Sequence, residues 1–333
     1  MKIPYQEINL RPESLALVGK ANRILAEYSA RGIVVTLRQL YYQFVARDLI
    51  PNKQSEYKRL GSIINDARLA GLIDWNFLQD RTRNLNQLSR WNDPAGVIES
   101  AARGYHRNLW KGQASYVEVW IEKDALIGVI ETVCEEFDVP YFSCRGYTSQ
   151  SEMWGASQRL LAHARAHQTV HIIHLGDHDP SGKDMSRDIQ DRLKDFMVYH
   201  LIRDWMKGKI LAPKGSPREQ QGQEIENAVA PFLVQVHRIA LNMDQVKRYN
   251  PPPNPAKITD SRATAYIKEF GAESWELDAL DPDVLTDLIR TNIEGHLDRQ
   301  LFDTQVNRQE AEREILLKTS RNWEHVESFV EGL

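Results

Sequence analysis

The sequence predicts an α/β protein in three parts: a helical N-terminal domain, a parallel sheet with helices on both faces, and a helical C-terminal extension. Three observations carry this. Between residues 31 and 90, two amphipathic helices joined by a turn precede short extended pieces. From residue 113, apolar runs alternate with helical patterns in βαβαβα order, and crossovers of that length fit parallel pairing. The last stretch is charged and helical in its spacing. A length of 333 residues fits about two domains at ~150 residues each.

The first helix covers 12–30, with Leu15, Leu17, Val18, Ala21, Ile24, Leu25 and Tyr28 on one stripe, and Arg31-Gly32 ends it. After the β-branched Ile33-Val34-Val35, Thr36 is placed to N-cap a helix, LRQLYYQFVARDL. Ile50-Pro51-Asn52 breaks that helix. Tyr57 to Ala70 carries a second stripe (Tyr57, Leu60, Ile63, Ile64, Ala67, Leu69). Gly71-Leu72-Ile73 and Trp75–Phe77 read as short extended pieces about a turn. Helix, turn, helix and short strands are a winged-helix pattern. With the first helix it makes a domain of 1–95, closed by Asp93-Pro94-Ala95-Gly96.

A linker helix fills 96–112. Strands at Tyr116–Ile121, Tyr141–Cys144 and Val170–Leu175 alternate with helices at 124–137, 149–166 and 183–207. Residues 208–227 are polar and punctuated by Gly and Pro, a surface insertion. Phe232–Leu241 reads as a further strand, and PPPNP at 251–255 as a stiff spacer. The sheet domain spans 113–285. The extension, 286–333, includes NRQEAEREILLK and reads as a solvated helical tail.

Hydrophobic residues make up 42% and charged residues 26%, which fits a soluble globular chain. No run of 18 apolar residues suits a membrane span, and the first residues lack the apolar core of a secretory signal. Cys134 and Cys144 are the two cysteines, with no metal-ligand spacing about them, so the expected compartment is the reducing cytoplasm. The net charge of −4 hides an asymmetry. Residues 1–112 hold 17 basic and 10 acidic groups; the remainder holds 25 and 36. A basic first third on an acidic remainder fits a nucleic-acid-binding module joined to a metal-binding one.

Three carboxylates stand at strand ends. Glu122 closes YVEVWIE, and Asp177 and Asp179 follow VHIIHL in GDHDPSGKD. Residues just past the carboxyl ends of parallel strands line the functional crevice, and oxygen-rich side chains there suit Mg²⁺. Asp-x-Asp alone is weak, since 22 Asp in 333 residues produce about 1.4 by chance. A second copy, Asp281-Pro282-Asp283, sits where a helix starts and reads as capping. His178 is expected to point away from the metal, and Lys123 and Lys183 flank the site as phosphate contacts or solvated lysines. In the helix after Thr36, the core stripe is Leu37, Leu40, Tyr41, Phe44 and Val45. Tyr42 lies off it, one turn past Arg38, where a guanidinium would hold a phosphate and favour the phenolate.

RQLYYQ, VEVWIEKD and LGDHDPSG together resemble the DNA topoisomerase VI A subunit and the related meiotic double-strand-break proteins. ESWELDAL at 273–280 looks like a region near the end of the same family's Toprim half. The resemblance covers roughly 31–285 and looks most like the compact stand-alone relatives of bacteria and mobile elements. It implies a winged-helix domain followed by a Toprim domain, with Glu122, Asp177 and Asp179 as metal ligands. It further implies Mg²⁺-dependent DNA cleavage by transesterification, with Tyr42 as nucleophile, Arg38 on the phosphate and Glu122 also catalytic. Lys53, Lys58, Arg59, Arg68, Arg81, Arg83 and Lys123 would contact DNA. Tyr42 and the acids lie on different domains, so a homodimer sharing its sites between chains is expected. Strand passage would need a separate ATPase subunit. Two alternatives stay open: a Toprim hydrolytic nuclease without a covalent intermediate, and a catalytically silent DNA-binding subunit of a larger assembly.

Overall fold

A computed structural model of the chain describes residues 2–78, 88–207, 230, 233–256 and 260–333. The insertion expected at 208–227 lies outside them, as do Arg81 and Arg83. The chain divides into two compact units, 1–81 with 115–293, and 82–114 with 294–333.

The larger unit begins with three helices, α1 (Pro12–Ser29), α2 (Leu37–Ala46) and α3 (Gln54–Leu69). Thr36 caps α2 as expected. Its hydroxyl accepts from the Gln39 amide, and the Gln39 side chain accepts in return from the Thr36 amide at 2.7 Å. Thr36→Ala is expected to cost roughly 1 kcal/mol in urea unfolding. The three helices share one apolar cluster that includes Ile24, Tyr28, Leu40, Phe44, Leu60 and Ile64. The short strands expected after α3 do not form. Trp75–Phe77 is a single 3₁₀ turn, and Pro4–Ala70 and Val35–Leu78 pair only as isolated bridges. Asp74 accounts for the turn, because its carboxylate accepts from the Asn76 amide and curls the chain where extension was expected.

The sheet is four-stranded and fully parallel, in the order β2 (Tyr141–Ser143), β1 (Ser115–Ile121), β3 (Thr169–Leu175) and β4 (Gln235–Ala240). The crossovers are α5 (Ile127–Glu136), α6 (Gln150–Arg165) and α7 (Pro180–Met206). The alternation read from the sequence is therefore correct in order and pairing. β1 and β3 lie side by side with Ile121 opposite Leu175. Glu122 and Gly176-Asp177 thus leave the same edge together, and the Glu122 amide still donates to the Leu175 carbonyl.

Beyond β4 come a short helix, α8 (Met243–Tyr249), a two-residue strand β5 (Asn254–Pro255), α9 (Ala263–Phe270) and β6 (Glu273–Ser274). β5 and β6 pair antiparallel, so the PPPNP run ends in a small ladder and is more than a spacer. Helix α10 (Pro282–Glu294) starts at the second Asp-x-Asp, where the Asp281 carboxylate accepts from the Asp283 amide. Capping is the role expected of that copy. Tyr28 also donates to Asp281, and Arg31 pairs with Asp283, fastening α1 to this part of the unit.

In the smaller unit, α4 (Pro94–Arg103) packs along α11 (Arg299–Arg321), which is followed by α12 (Trp323–Glu331). Arg107 reaches Glu312 at 2.6 Å, and Gln113 exchanges hydrogen bonds with the backbone of Asp298 at 2.8 Å. The expected boundaries at 95/96, 112/113 and 285/286 therefore shift. Residues 96–112 serve as half of a helical unit rather than a linker, and much of the expected tail is its other half.

Candidate functional site

Glu122, Asp177 and Asp179 come together at the carboxyl edge of β1 and β3, as expected. Glu122 Oε2 accepts from the Asp177 amide at 2.8 Å. Asp179 caps α7, its Oδ1 accepting from the Gly182 amide at 2.6 Å and the Ser181 hydroxyl at 2.9 Å. The capping role and a site role are therefore compatible in one residue. Gly182 is required by close approach, since a Cβ there would stand 2.3 Å from the Asp177 carbonyl oxygen. Both residues of Asp-x-Asp are buried. Burial pushes the Asp177 carboxyl up to about 7; Lys123 opposes this, and the neighbouring Glu122 and Asp278 add to it. The Glu122 carboxyl is raised for the same first reason, with Asp179 adding and the Asp177 amide, Lys123 and Arg238 opposing. Buried oxygens that resist ionising together form a donor set suited to a hard divalent cation.

Two resident cations hold this centre. Arg238 on β4 is half-buried beside it, donating to the carbonyls of Asp177 (2.7 Å), Gly182 (2.8 Å), Gly176 (3.1 Å) and Leu241 (3.2 Å). It is the side chain that shapes the loop carrying both aspartates, and sequence reading missed it. Lys123 is nearly buried, against the solvated lysine considered for it. Its Nζ lies 2.9 Å from Asp177, 2.6 Å from Glu276 and 3.0 Å from Asp278. Burial works against its charge, but Asp278, Asp177 and Glu276 outweigh that and hold it firmly protonated.

Glu276 and Asp278 were also missed as site residues, although they lie in ESWELDAL. A two-residue spacing puts their carboxylates on one side while Trp275 and Leu277 are buried. A backbone bridge between His178 and Trp275 fixes this segment against Asp-x-Asp, and the Leu277 amide donates to Asp177 at 2.8 Å. His178 does point away, its Nδ1 2.7 Å from the Tyr266 hydroxyl among Phe270 and Trp275. Burial pushes its imidazole down to about 4, so it stays neutral. Lys183 stacks on Phe270 at 4.2 Å rather than standing free in solvent.

The same two carboxylates meet α2. Arg38 Nε donates to Asp278 at 2.6 Å, and the other arm of the guanidinium pairs with Glu276. Arg38, Lys123, Asp278 and Asp177 thus form a continuous chain of contacts from α2 to the acidic centre within one protomer. Tyr42 lies beside Arg38, whose guanidinium carbon is 5.7 Å from its ring centre. Contrary to the off-core face expected of it, Tyr42 is 5% exposed and Tyr41 4%. Helix α2 is covered on both sides, by the N-terminal cluster and by residues 277–279. The two hydroxyls differ. That of Tyr41 donates to Asn52 at 3.0 Å and to the Lys53 carbonyl at 3.2 Å. That of Tyr42 makes no hydrogen bond among the described residues. The phenolate advantage expected from Arg38 is not realised. Burial raises the Tyr42 phenol, Asp278 and Glu276 raise it further, and Arg38 and Lys123 only partly counter them.

The expected DNA contacts divide. Lys53 and Lys58 are exposed, and Arg59 is tied to Glu56 at 2.6 Å. Arg68 is spent inside the unit, donating to the Trp75 carbonyl at 3.1 Å and stacking on its ring at 4.3 Å. No helix among the described residues is long and apolar enough to cross a membrane. Compared with models of protein families and with curated proteins, the chain matches none.

Proposed function

We propose that the chain cleaves DNA by transesterification in the manner of the topoisomerase VI A subunit. Residues 1–95 would act as a winged-helix domain and 113–285 as a Toprim domain. The observation that carries this reading is the continuous path from Tyr42 and Arg38 through Asp278 and Lys123 to Asp177. An isolated Tyr–Arg pair or an isolated acidic cluster has a structural explanation. Their junction in one protomer, with a tyrosine hydroxyl that no neighbour among the described residues binds, is what phosphoryl transfer by a tyrosine calls for.

In this reading the Tyr42 oxygen attacks a backbone phosphorus. One bridging P–O bond breaks as the new one forms, and the proton lost by the phenol matches the one gained by the leaving sugar oxygen. Arg38 orients the phosphate and bears its developing charge. Glu122, Asp177 and Asp179 would hold Mg²⁺, which supplies electrostatic stabilisation of the leaving oxygen when bound. A homodimer with one site per strand and a separate ATPase subunit for strand passage belong to the same proposal.

A hydrolytic nuclease is the second reading, favoured by the deep burial and raised phenol of Tyr42. The test is a denaturant trap with supercoiled plasmid and Mg²⁺. Wild type is expected to yield covalent protein–DNA adducts and Tyr42→Phe none, with cleavage reduced by at least about 10⁴-fold. Undiminished cleavage by Tyr42→Phe overturns transesterification in favour of hydrolysis.

A further inference from the structure

The cleft that Tyr42 lines encloses about 330 Å³ and is shared by α2, the start of α3 and the segment carrying Glu276. This lies at the low end of small-ligand clefts, about 300–1,000 Å³, with room for a nucleoside and none for a duplex. Tyr42 packs in the apolar cluster and also lines this cleft, so we take the cleft as the approach of a phosphate to it. The backbone of an intact, stacked duplex is carried on a rod far wider than the opening. For a phosphate to reach Tyr42, a neighbouring nucleotide has to leave the stack and enter.

The lining suits such a guest. Arg38 stands at the Tyr42 end, where a phosphate belongs. Asn52 is a fixed wall: its oxygen accepts from Tyr41, and its nitrogen donates to the Pro253 carbonyl (3.2 Å) and to Asn254 (2.6 Å). Gln54 and Tyr57 line the same space, and neither side chain has a hydrogen-bond partner among the described residues. An aromatic ring beside an uncommitted amide is the pair of surfaces that single unstacked bases use, one for the π-face and one for the polar edge.

We propose that this cleft is a nucleobase pocket, and that the substrate is DNA in which the nucleotide beside the scissile phosphate is unpaired or readily unpaired: a bulge, a mismatch or a melted segment. The inference rests on the reading of the protein as DNA-binding. It deepens that reading by naming the form of DNA taken.

The test uses full-length protein in EDTA, so that cleavage plays no part. Its probes are a perfectly paired duplex and the same duplex with a single-nucleotide bulge, each carrying 2-aminopurine at the central position. Wild type is expected to bind the bulged duplex at least about tenfold more tightly and to shift the 2-aminopurine emission on binding. Gln54→Ala and Tyr57→Ala are expected to remove the preference while retaining affinity for paired duplex. Gln54 is exposed, so its variant is insulated from folding defects. Equal binding of the two probes by wild type overturns the pocket and leaves the cleavage reading standing. A preference that both variants keep overturns its placement. Absence of DNA binding at low salt overturns both readings, whereas a preference with no covalent adduct keeps the pocket and removes the tyrosine chemistry.

Discussion

Lys123→Met is expected to lower the stability of the metal-free chain by roughly 3–5 kcal/mol, the cost of leaving buried charge without its partner. Lys123 alone touches Asp177, Glu276 and Asp278 together, and the Asp278 side chain has no exposed surface. Arg38 remains as a counter-charge for Glu276 and Asp278, but Asp177 loses the one cation among the described residues whose charged tip bonds to its carboxylate oxygen. Methionine keeps the volume and apolar stem of lysine, so the change isolates charge from packing. Mg²⁺ should return part of the loss, because a divalent ion near Asp177 repays the missing charge. Thermal or urea unfolding of both proteins with EDTA and with Mg²⁺ measures this. A variant as stable as wild type in EDTA would mean that Lys123 does not hold the network together.

The residues of this network show where sequence reading reached and where it stopped. Glu122 and Asp-x-Asp were legible because each ends an apolar β-run, and a parallel sheet sends all such ends to one edge. The Thr36 cap was legible because a capping box is a local pattern. Arg238 was not, since one arginine in a strand pattern carries no sign that four carbonyls curl around it. Glu276 and Asp278 sat inside a stretch noted for its likeness to a family and not for its charges. Their role depends on the bridge between His178 and Trp275, a pairing across 97 positions that no local pattern encodes. The burial of Tyr42 was misread for a related reason. Helical periodicity identifies one apolar face, and the second face of α2 is covered by a segment more than 200 residues away, around Leu277–Ala279. Trp75–Phe77 was read as extended but curls where the Asp74 carboxylate accepts from the Asn76 amide, a side-chain effect that apolar spacing does not register.

Asp177→Asn is expected to reduce Mg²⁺-dependent DNA cleavage by roughly 10²–10³-fold, the scale of losing one preorganised charge in a buried site, and to remove this carboxyl's share of the pH response of the metal-free chain. In the folded protein Asp177 keeps its proton up to about pH 7, against an ordinary value of 3.8. Between those values the folded chain binds more protons than the unfolded one, so this group makes stability fall as pH rises, and the fall ends above about 7. His174 and His178 act oppositely. Burial pushes them down to about 3 and about 4, so each adds stability that is lost as pH drops below 6.5. The wild-type profile mixes these contributions. The difference between Asp177→Asn and wild type removes the histidines, and it should shift in favour of the variant from pH 4 to 7 and then level. The same proton opposes a cation, so Mg²⁺ should bind wild type about tenfold more weakly for each pH unit below 7, a slope the asparagine variant should flatten. Midpoints of urea unfolding in EDTA, with Mg²⁺ titrations at pH 5, 6, 7 and 8, test both. A stability difference that stays constant with pH would mean that Asp177 is ionised in the resting chain, and the crowding of carboxylates on which the metal assignment rests would have to be abandoned.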